Sequence, residues 1–526
     1  MKTLNILTTG AFATLLLLGS CTKDVDNPNS PGGGGEGGVV EGIPTYATIS
    51  LSQRTGAGTY AGAGDYANGN SPASDEEKKI TDAVVLVFNS NDILENYVEF
   101  EDADLATNPC AKIISTTTGQ KRLYALANLD DYSKIEDIFN SQTAADKQLS
   151  NVCKVIQQIG DITGATTANK FWMSNVYKLG ATLEDQVTVQ KGDENTNNFT
   201  IYIGRMVSKV TPMFAADLVV NSGDGTIDKT GAEYRVRNNP KRFYTFPVYE
   251  GVQLVSPYYA LDFVETPGGE DGEKEEIDPE DRDTYAYPTD ITSDDFFDNG
   301  TTDAFGKNMG DDSYLTENSP KDAKRHKVTF LSIKAKWTPD ANALLLDADG
   351  SIADDAAATL KKITNAAPDG NGGTFYRVQK WQGGKIIGYC PGIYAQTPTK
   401  WTEVGGTPND NAGTLPLTGG GTPTKVVTNR ADAKASAEEC YLVVTYDQGM
   451  AYWAYWMRSR LDGTIAEKYA LKRNNHFKVN IISVDGVGDP TEDDNLDKDE
   501  DLEADASMKA TIQVLDWNVV DIEGGI

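Results

Sequence analysis

The stretch "ATISLSQRTGAG", residues 47–58, begins as a β-strand and ends as a glycine-rich loop. Ala47, Ile49 and Leu51 fall on one face and polar residues separate them, as a half-buried strand requires. After Arg54 glycine and alanine dominate, so the chain has little to bury there. We therefore expect the bond between Arg54 and Thr55 to be exposed and accessible to a protease.

Further strand patterns follow along the chain and dominate its local signals. They are short, rich in β-branched and aromatic residues, and bounded by turn formers, as in "ITDAVVLVFNS" from Ile80, "KRLYALANL" from Lys121, "KVTFLSIKAKW" from Lys327 and "FKVNIISV" from Phe477. This pattern predicts an all-β protein of antiparallel β-sandwiches. Few helices are expected: one after a capping box from Ser133 to Glu136, and one beginning at Ser351.

Composition limits the class of protein. The chain has 526 residues, 39% of them hydrophobic, which is enough for two to four domains with real cores. Its 78 acidic residues outnumber 47 basic ones, so nucleic acid and anionic surfaces are disfavoured as partners. Much of the acid lies in two runs, Glu265–Asp283 and Asp489–Asp505, which are expected to be solvated loops.

Residues 1–21, "MKTLNILTTGAFATLLLLGSC", are typical of a lipoprotein signal peptide. The apolar stretch is too short to span a bilayer. Leu18-Gly19-Ser20-Cys21 matches a lipobox, in which Cys21 is lipidated on sulfur and becomes the new N-terminus. Two or more acyl chains would make the membrane anchor stable. Residues 22–54 are then a flexible tether followed by the first strand.

Four further cysteines remain, and none has a metal-binding spacing. In an exported protein they can form disulfides. The pairs expected within each half of the chain are Cys110 with Cys153 and Cys390 with Cys440, although four cysteines allow three pairings.

Catalytic and cofactor motifs are not found. The two histidines, His326 and His476, have no recognisable nucleophile partner, and no zinc-protease, serine-hydrolase or phosphate-loop motif occurs. "DADGS" from Asp347 offers oxygen ligands for calcium but lacks the bidentate acid, so a turn at a helix start is favoured. The aromatic run "YWAYWM" from Tyr452 is expected to lie in a core. We therefore predict no enzyme activity, no cofactor and no metal site.

The order of several motifs resembles the type V pilins of Bacteroidia, the family of major fimbrial subunits, and in particular a minor-fimbrium-type shaft pilin. After the lipobox and the strand before Arg54 come "TTTGQKRLYALANL", "FWMSN", "GRMVSKV", "VRNNPKRF", "KYALKRNNHFKVNI" and the terminal "ATIQVLDWNVV". The resemblance covers nearly the whole chain. The acidic loops between Glu265 and Asp311 depart from it by being longer.

This resemblance implies two transthyretin-like β-sandwich domains, expected at residues 55–206 and 207–526. It implies an outer-membrane lipoprotein precursor that an Arg-specific protease cuts between Arg54 and Thr55, releasing the first strand as a propeptide. The vacated groove would accept a strand from an identical subunit. Partners would be other copies of this pilin, anchor and tip pilins, and the protease, in a surface fimbrium that supports adhesion.

The C-terminal segment "MKATIQVLDWNVVDIEGGI" is the candidate donor strand, with Leu515, Trp517 and Val519 on one face and Val520 and Ile522 on the other. An alternative is that it only closes its own domain, with Trp517 as an anchor.

Two other functions are also compatible with the sequence. One is a fimbrial tip or anchor subunit that keeps its lipid, with Arg54 an ordinary loop residue, and the other is a surface glycan-binding lipoprotein.

Overall fold

The structure is a computed structural model. It describes residues 39–53, 67–106, 109–156, 162–175, 177–179, 186–193, 195–222, 224–240, 243–250, 253–255, 305–319, 328–340, 344–345, 351–353, 373–390, 393–395, 400–402, 414–415, 424–460, 463–492, 494, 502 and 508–518.

Strands make up most of the described chain. The strands before residue 206 are β1 Pro44–Gln53, β2 Ala67–Pro72, β3 Ala83–Asn89, β4 Leu94–Glu99, β5 Cys110–Thr117, β6 Gly119–Ala127, β7 Thr166–Thr167, β8 Lys170–Phe171, β9 Met173–Ser174, β10 Tyr177–Leu179, β11 Gln186–Val189 and β12 Asn198–Arg205. The later strands are β13 Ser208–Val220, β14 Gly225–Ile227, β15 Glu233–Arg237, β16 Val248–Glu250, β17 Gln253–Val255, β18 Lys307–Asn308, β19 Ser313–Leu315, β20 Phe330–Pro339, β21 Leu344–Leu345, β22 Ser351–Ala353, β23 Phe375–Gln382, β24 Lys385–Tyr389, β25 Ile393–Tyr394, β26 Lys400–Thr402, β27 Thr414–Leu415, β28 Thr424–Val427, β29 Cys440–Tyr446, β30 Met450–Trp456, β31 Asn475–Val484 and β32 Met508–Asn518.

Helices in the described chain are short. They are α1 Asp75–Lys78, α2 Asp102–Leu105, α3 Ser133–Asn140, α4 Leu149–Ile156, α5 Ile162–Ala165, α6 Arg430–Lys434 and α7 Ile465–Tyr469, with a 3₁₀ turn at Asp447–Gly449. The prediction of an all-β protein with few short helices is confirmed. None of the helices in the described ranges is long and apolar enough to cross a membrane.

Two details of the helix predictions are wrong. The helix at Ser133 exists, but its start is bonded differently: the Asp131 carboxylate accepts from Ser133 N at 2.9 Å, in place of the predicted capping box. The second predicted helix does not begin at Ser351: Ser351–Ala353 form the strand β22, which pairs with β26, because a tertiary partner outweighs a weak local helix signal. The rest of that predicted helix, residues 354–366, lies outside the described residues. The calcium candidates Asp347 and Asp349 lie outside the described residues.

The first sheet has eight strands in the order β4-β3-β6-β9-β12-β1-β5, with β11 pairing to β6. β3 is buried from Ala83 to Phe88, which explains its unbroken apolar run. Helices α3 and α4 contribute Ile135, Ile138 and Val152 to the same hydrophobic core. This sheet therefore carries the core of the N-terminal half.

A second core lies between two further sheets. The second sheet has the order β19-β13-β31-β32-β2, and the third has the order β14-β20-β15-β18 with β30 pairing to β20. Phe477 and Val479 from the second sheet pack with Trp337 and Trp453 from the third. Trp453 is fully buried, so the expectation that "YWAYWM" contributes to a core is confirmed. This arrangement is a β-sandwich.

The two cores divide the described chain near the predicted boundary. Val207 packs in the first core and Val210 in the second, and Phe243 and Phe246 join the first core from later in the chain. The domain limits at residues 55–206 and 207–526 stay a prediction.

A buried ion pair joins the segment after β19 to the segment before β31. Arg473 and Glu317 are both fully buried, with Nη2 and Oε2 2.6 Å apart. Arg473 also donates to the Ser174 hydroxyl and, at 2.8 Å, to the Thr245 carbonyl. Since Ser174 lies opposite Leu126 in the first sheet and Thr245 directly precedes Phe246 of the first core, the Arg473 side chain fastens the segment before β31 to the N-terminal half.

Part of the acidic run from Asp489 to Asp505 is not the solvated loop expected from its composition. Asp489, Glu492 and Asp494 are buried. Glu492 pairs with Arg235 and Arg237, and Asp494 pairs with Arg430. The expectation is wrong at these three positions because cations from β15 and α6 pair with Glu492 and Asp494, and the Tyr389 hydroxyl donates to the Asp489 carboxylate at 2.6 Å.

We expect Glu317→Ala to lower the free energy of unfolding by about 3 to 5 kcal/mol, because it leaves the Arg473 guanidinium buried without a counter-charge. Denaturant unfolding measures the loss. The matched control is Glu233→Ala, which removes a partly exposed pair with Lys334 at 3.7 Å and should cost about 0 to 1 kcal/mol. Equal losses in the two variants would contradict the role of burial.

Candidate functional site

The strand β1 is paired along both of its edges. It runs antiparallel to β5, from Pro44 opposite Thr117 to Leu51 opposite Cys110. On its other edge it runs parallel to β12, from Thr48 opposite Asn198 to Gln53 opposite Ile203. β1 is therefore an inner strand of the first sheet, although it lies near the start of the chain.

The inner face of β1 is apolar and closed to solvent. Ala47, Ile49 and Leu51 are at most 1% exposed, whereas Tyr46 on the opposite face is 51% exposed. The predicted alternation of this strand is confirmed. Full burial of Ile49 and Leu51 contributes roughly 1.5 to 3 kcal/mol for each side chain.

The neighbouring strands form the two walls of the slot that β1 fills. Cys110 and Ile114 on β5 are buried at one wall, and Ile201 and Ile203 on β12 are buried at the other. Taking β1 away would expose these side chains together with the facing backbone groups of both strands. Unpaired buried backbone groups are costly, so such a slot needs an occupant.

Hydrogen bonds hold both ends of β1. Near its start, Thr45 Oγ1 donates to the Gly192 carbonyl at 2.8 Å. At the third residue of the strand, Asn197 Nδ2 donates to the Tyr46 carbonyl at 2.9 Å. At its end, the Gln53 side-chain amide donates to the Lys78 carbonyl at the end of α1.

The predicted cleavage position follows directly on this strand. β1 ends at Gln53, and the next described strand, β2, begins at Ala67 in a different sheet. Arg54 and Thr55 themselves lie outside the described residues, as does Cys21. A cut between residues 54 and 55 would separate β1 from the rest of the chain. β2 would stay connected to the C-terminal product of the cut.

The C-terminal strand β32 is also an inner strand, in the second sheet. It pairs antiparallel with β31, from Met508 opposite Val484 to Asp516 opposite Asn475, and parallel with β2. Leu515 and Trp517 fall within this paired backbone, which agrees with the alternative that the strand closes its own sheet in the monomer. The side chains of Leu515 and Trp517, and all of Val519, Val520 and Ile522, lie outside the described residues, so the donor role stays a prediction.

His476 on β31 lies opposite Leu515 of β32, and its ring is surrounded by protein. Its Nε2 lies 2.6 Å from Thr211 Oγ1. Burial lowers the pKa of His476 to about 4, and the charges of Lys209 and Lys478 act in the same direction, while Asp312 and Glu77 oppose them. The ring is therefore neutral at pH 7.

The cysteines do not follow the predicted pairs. Among the described cysteines, Cys110, Cys390 and Cys440 form no disulfide. The Cys110 thiol is buried in the wall of the slot and contacts the Leu105 carbonyl at 3.5 Å, and burial raises its pKa. The predicted bond from Cys110 to Cys153 is therefore not formed, and the side chain of Cys153 lies outside the description.

The predicted bond from Cys390 to Cys440 is not formed either. Cys440 on β29 packs with Trp381, the residue that faces it on the neighbouring strand β23. Cys390 packs with Val378, which is also on β23. Trp381 and Val378 lie three residues apart on β23, so their side chains leave opposite faces of the strand. The sheet therefore separates the two sulfur atoms.

The described ranges hold no group of three or more His, Cys, Asp or Glu side chains that could bind a metal ion. The pairing of β2 with the end of β32 escaped the sequence analysis. Its sequence, "ANGNSP", carries no strand signal that could have revealed it.

Two family models match the sequence. The model described as "Major fimbrial subunit protein (FimA)" matches residues 47–230, and the model described as "Major fimbrial subunit protein type IV, Fimbrillin, C-terminal" matches residues 444–523. The first match includes most of β1, and the second includes β32. No curated protein matches the chain.

Solved structures similar to this chain include a fimbrilin from Porphyromonas gingivalis W83, at 14% identity and a TM-score of 0.39, with 91% of this chain and 98% of that chain covered. Another is the tip fimbrial protein Mfa3 from Porphyromonas gingivalis, at 12% identity and a TM-score of 0.32, with 90% and 100% covered. A fimbrial assembly protein from Parabacteroides distasonis has 12% identity and a TM-score of 0.29, with 57% and 85% covered.

We expect Ile49→Ala to lower the free energy of unfolding of the uncut chain by about 2 to 5 kcal/mol, because it leaves a cavity between β5 and β12. The matched control is Ser50→Ala, one residue along on the other face, which should change stability by less than about 0.5 kcal/mol. Urea unfolding of the two variants makes the comparison. A loss in the control as large as in Ile49→Ala would refute the assignment of faces.

Lowering the pH should reduce the free energy of unfolding through His476. Because its folded pKa of about 4 is below the unfolded value of about 6.5, its contribution is complete above pH 6.5 and is lost as the pH falls towards 4. Between pH 7 and 4, wild type should lose on the order of 3 kcal/mol more than His476→Gln. Unfolding midpoints measured across this pH range test the difference, and parallel pH profiles would disprove it.

Proposed function

Because this chain belongs to the fimbrillin family of fimbrial subunit proteins, we propose that it is a shaft pilin that polymerises by donor-strand exchange at the cell surface. The observation that carries the proposal is the position of β1. It is an inner strand with a buried apolar face, and it ends one residue before an arginine. Such a strand can be removed by a single cut and must then be replaced.

The precursor in this proposal is a lipoprotein of the outer membrane, anchored through Cys21. Residues 22–43 tether β1 to the lipid. An Arg-specific protease cuts between Arg54 and Thr55, so that the lipid, the tether and β1 leave together. Release from the membrane and opening of the slot are then the same event.

The occupant of the opened slot is the C-terminal strand of another copy. β32 has 11 residues and β1 has 10, so the two strands match in length. Leu515, Trp517 and Val519, or Val520 and Ile522, would take the positions of the apolar face of β1. Anchor and tip pilins would bind the ends of the polymer through the same kind of exchange.

The strand replacement can be followed through the thiol of Cys110. This thiol lies opposite Leu51 and is 9% exposed while β1 is in place. In a Cys21→Ser, Cys153→Ser chain, we expect slow labelling by a thiol reagent before the cut, at least tenfold faster labelling once β1 has left, and renewed protection in polymers. Cys390 and Cys440 are fully buried and should give little background.

Three controls accompany this measurement. Cys110→Ser should abolish the fast labelling, Arg54→Ala should block cleavage and polymer formation, and N-terminal sequencing of the polymer should begin at Thr55. Polymers that still carry β1, or a Cys110 thiol that stays protected after β1 has left, would contradict strand exchange.

A further inference from the structure

The edge of the second sheet is formed by β2, the first described strand after the predicted cut. It pairs with the last part of β32, from Ala67 opposite Val514 to Pro72 opposite Asn518. The pairing of β31 with β32 ends earlier, at Asp516. Among the strands that the structure describes, β2 is the one that pairs with the backbone of Trp517 and Asn518.

β2 is a weak strand by its composition. Its sequence "ANGNSP" lacks β-branched and aromatic residues, and Pro72 has no N–H to donate. The pairing is parallel, and its register shifts between Ala67 and Asn70. Its own backbone pairing therefore gives β2 little stability, and the ends of the segment must keep it in place.

The C-terminal end of β2 is firmly held through α1. Ser74 and Glu77 form a reciprocal capping box at the start of this helix. The Glu77 carboxylate is buried, lies 3.2 Å from Lys209 Nζ, and accepts from the Tyr314 hydroxyl at 3.2 Å. Arg205 Nε donates to the Glu77 carbonyl at 2.8 Å.

The N-terminal end of β2 is held by β1 as long as the chain is intact. β1 is fixed between β5 and β12, and residues 54–66 join it to Ala67. Holding both ends of a short segment keeps its effective concentration at β32 high. A cut between Arg54 and Thr55 frees one of these two ends.

We propose that β2 is a latch that keeps the end of β32 in its own sheet until the chain is cut. The proposal rests on donor-strand exchange as the function of β32. Cleavage then acts on both partners of the exchange: loss of β1 opens the acceptor slot, and the slackened β2 lets Trp517 and Asn518 leave. An uncut precursor is inactive as an acceptor and also as a donor.

The test uses donor chains that cannot be cut, so that β1 stays in place and only the pairing of β2 with β32 differs between them. The acceptor is a cut chain that ends at Trp517, so it lacks Val519, Val520 and Ile522 of the candidate donor segment. The latch-broken donor carries Arg54→Ala with Asn70→Pro and Ser71→Pro, which with Pro72 leaves no backbone N–H over three residues. The matched donor carries Arg54→Ala with Asn70→Ala and Ser71→Ala, which keeps these N–H groups.

We expect the latch-broken donor to form mixed dimers with the acceptor at least tenfold faster than the matched donor. Hydrogen exchange should show at least tenfold lower protection of Trp517 and Asn518, with Phe477 and Val479 in the core of the sheet unchanged. The same loss at residues 517 and 518 is expected when the wild-type chain is cut but still retains β1, which covers the case in which the proline variant fails to fold.

The outcomes distinguish the two proposals. If the cut wild-type chain forms no mixed dimer with the acceptor, the proposal of donor-strand exchange is wrong. The latch proposal, which rests on it, is then wrong as well. If cut wild-type chain reacts but the two uncut donors react equally slowly, or if cutting leaves the protection of residues 517 and 518 unchanged, only the latch is overturned.

Discussion

The pairing of β1 on both edges is the constraint on which the rest of the molecule depends. An inner strand satisfies the backbone groups of two neighbours as well as its own, so its loss exposes two strand edges and an apolar slot at once. A chain whose first strand has this position is stable only while the slot is filled. In the intact chain β1 fills it, and in the proposed fibre a strand of a second chain would fill it.

Buried charged side chains fix the N-terminal and C-terminal halves of the chain to each other next to this slot. Glu77 meets Lys209 and Tyr314, while Arg473 meets Glu317, and each of these contacts joins segments that are far apart in sequence. A buried charge without its partner is costly, so the segments cannot slide past one another. Because α1 also accepts from Gln53 at the end of β1, the slot and the junction between the cores are one connected structure.

The two ends of the proposed exchange differ in how they are held. β1 is held by apolar burial of Ala47, Ile49 and Leu51, whereas the last residues of β32 pair with a polar edge strand. The chain before β32 is anchored by the buried carboxylates Asp489, Glu492 and Asp494.

The sequence by itself determined the class of the fold and the face of the critical strand. Alternation at Ala47, Ile49 and Leu51 is a local pattern with a period of two, and a buried strand leaves this pattern whatever its partners are. The order of the strand motifs likewise indicated the family before any contact was known. The expectation of a strand ending at Arg54 needed only the apolar run and the glycines after it.

Only the tertiary structure decided which strands are neighbours and which charges are buried. β1 meets β12 across some 150 residues, and nothing in either sequence specifies the other. The same holds for β2 beside β32, for the acidic residues neutralised by Arg235 and Arg430, and for Cys390 and Cys440 on opposite faces of a sheet. Pairing between distant segments depends on how side chains pack and become buried over the whole molecule. A local sequence pattern does not specify this packing, so it cannot predict which strands become neighbours.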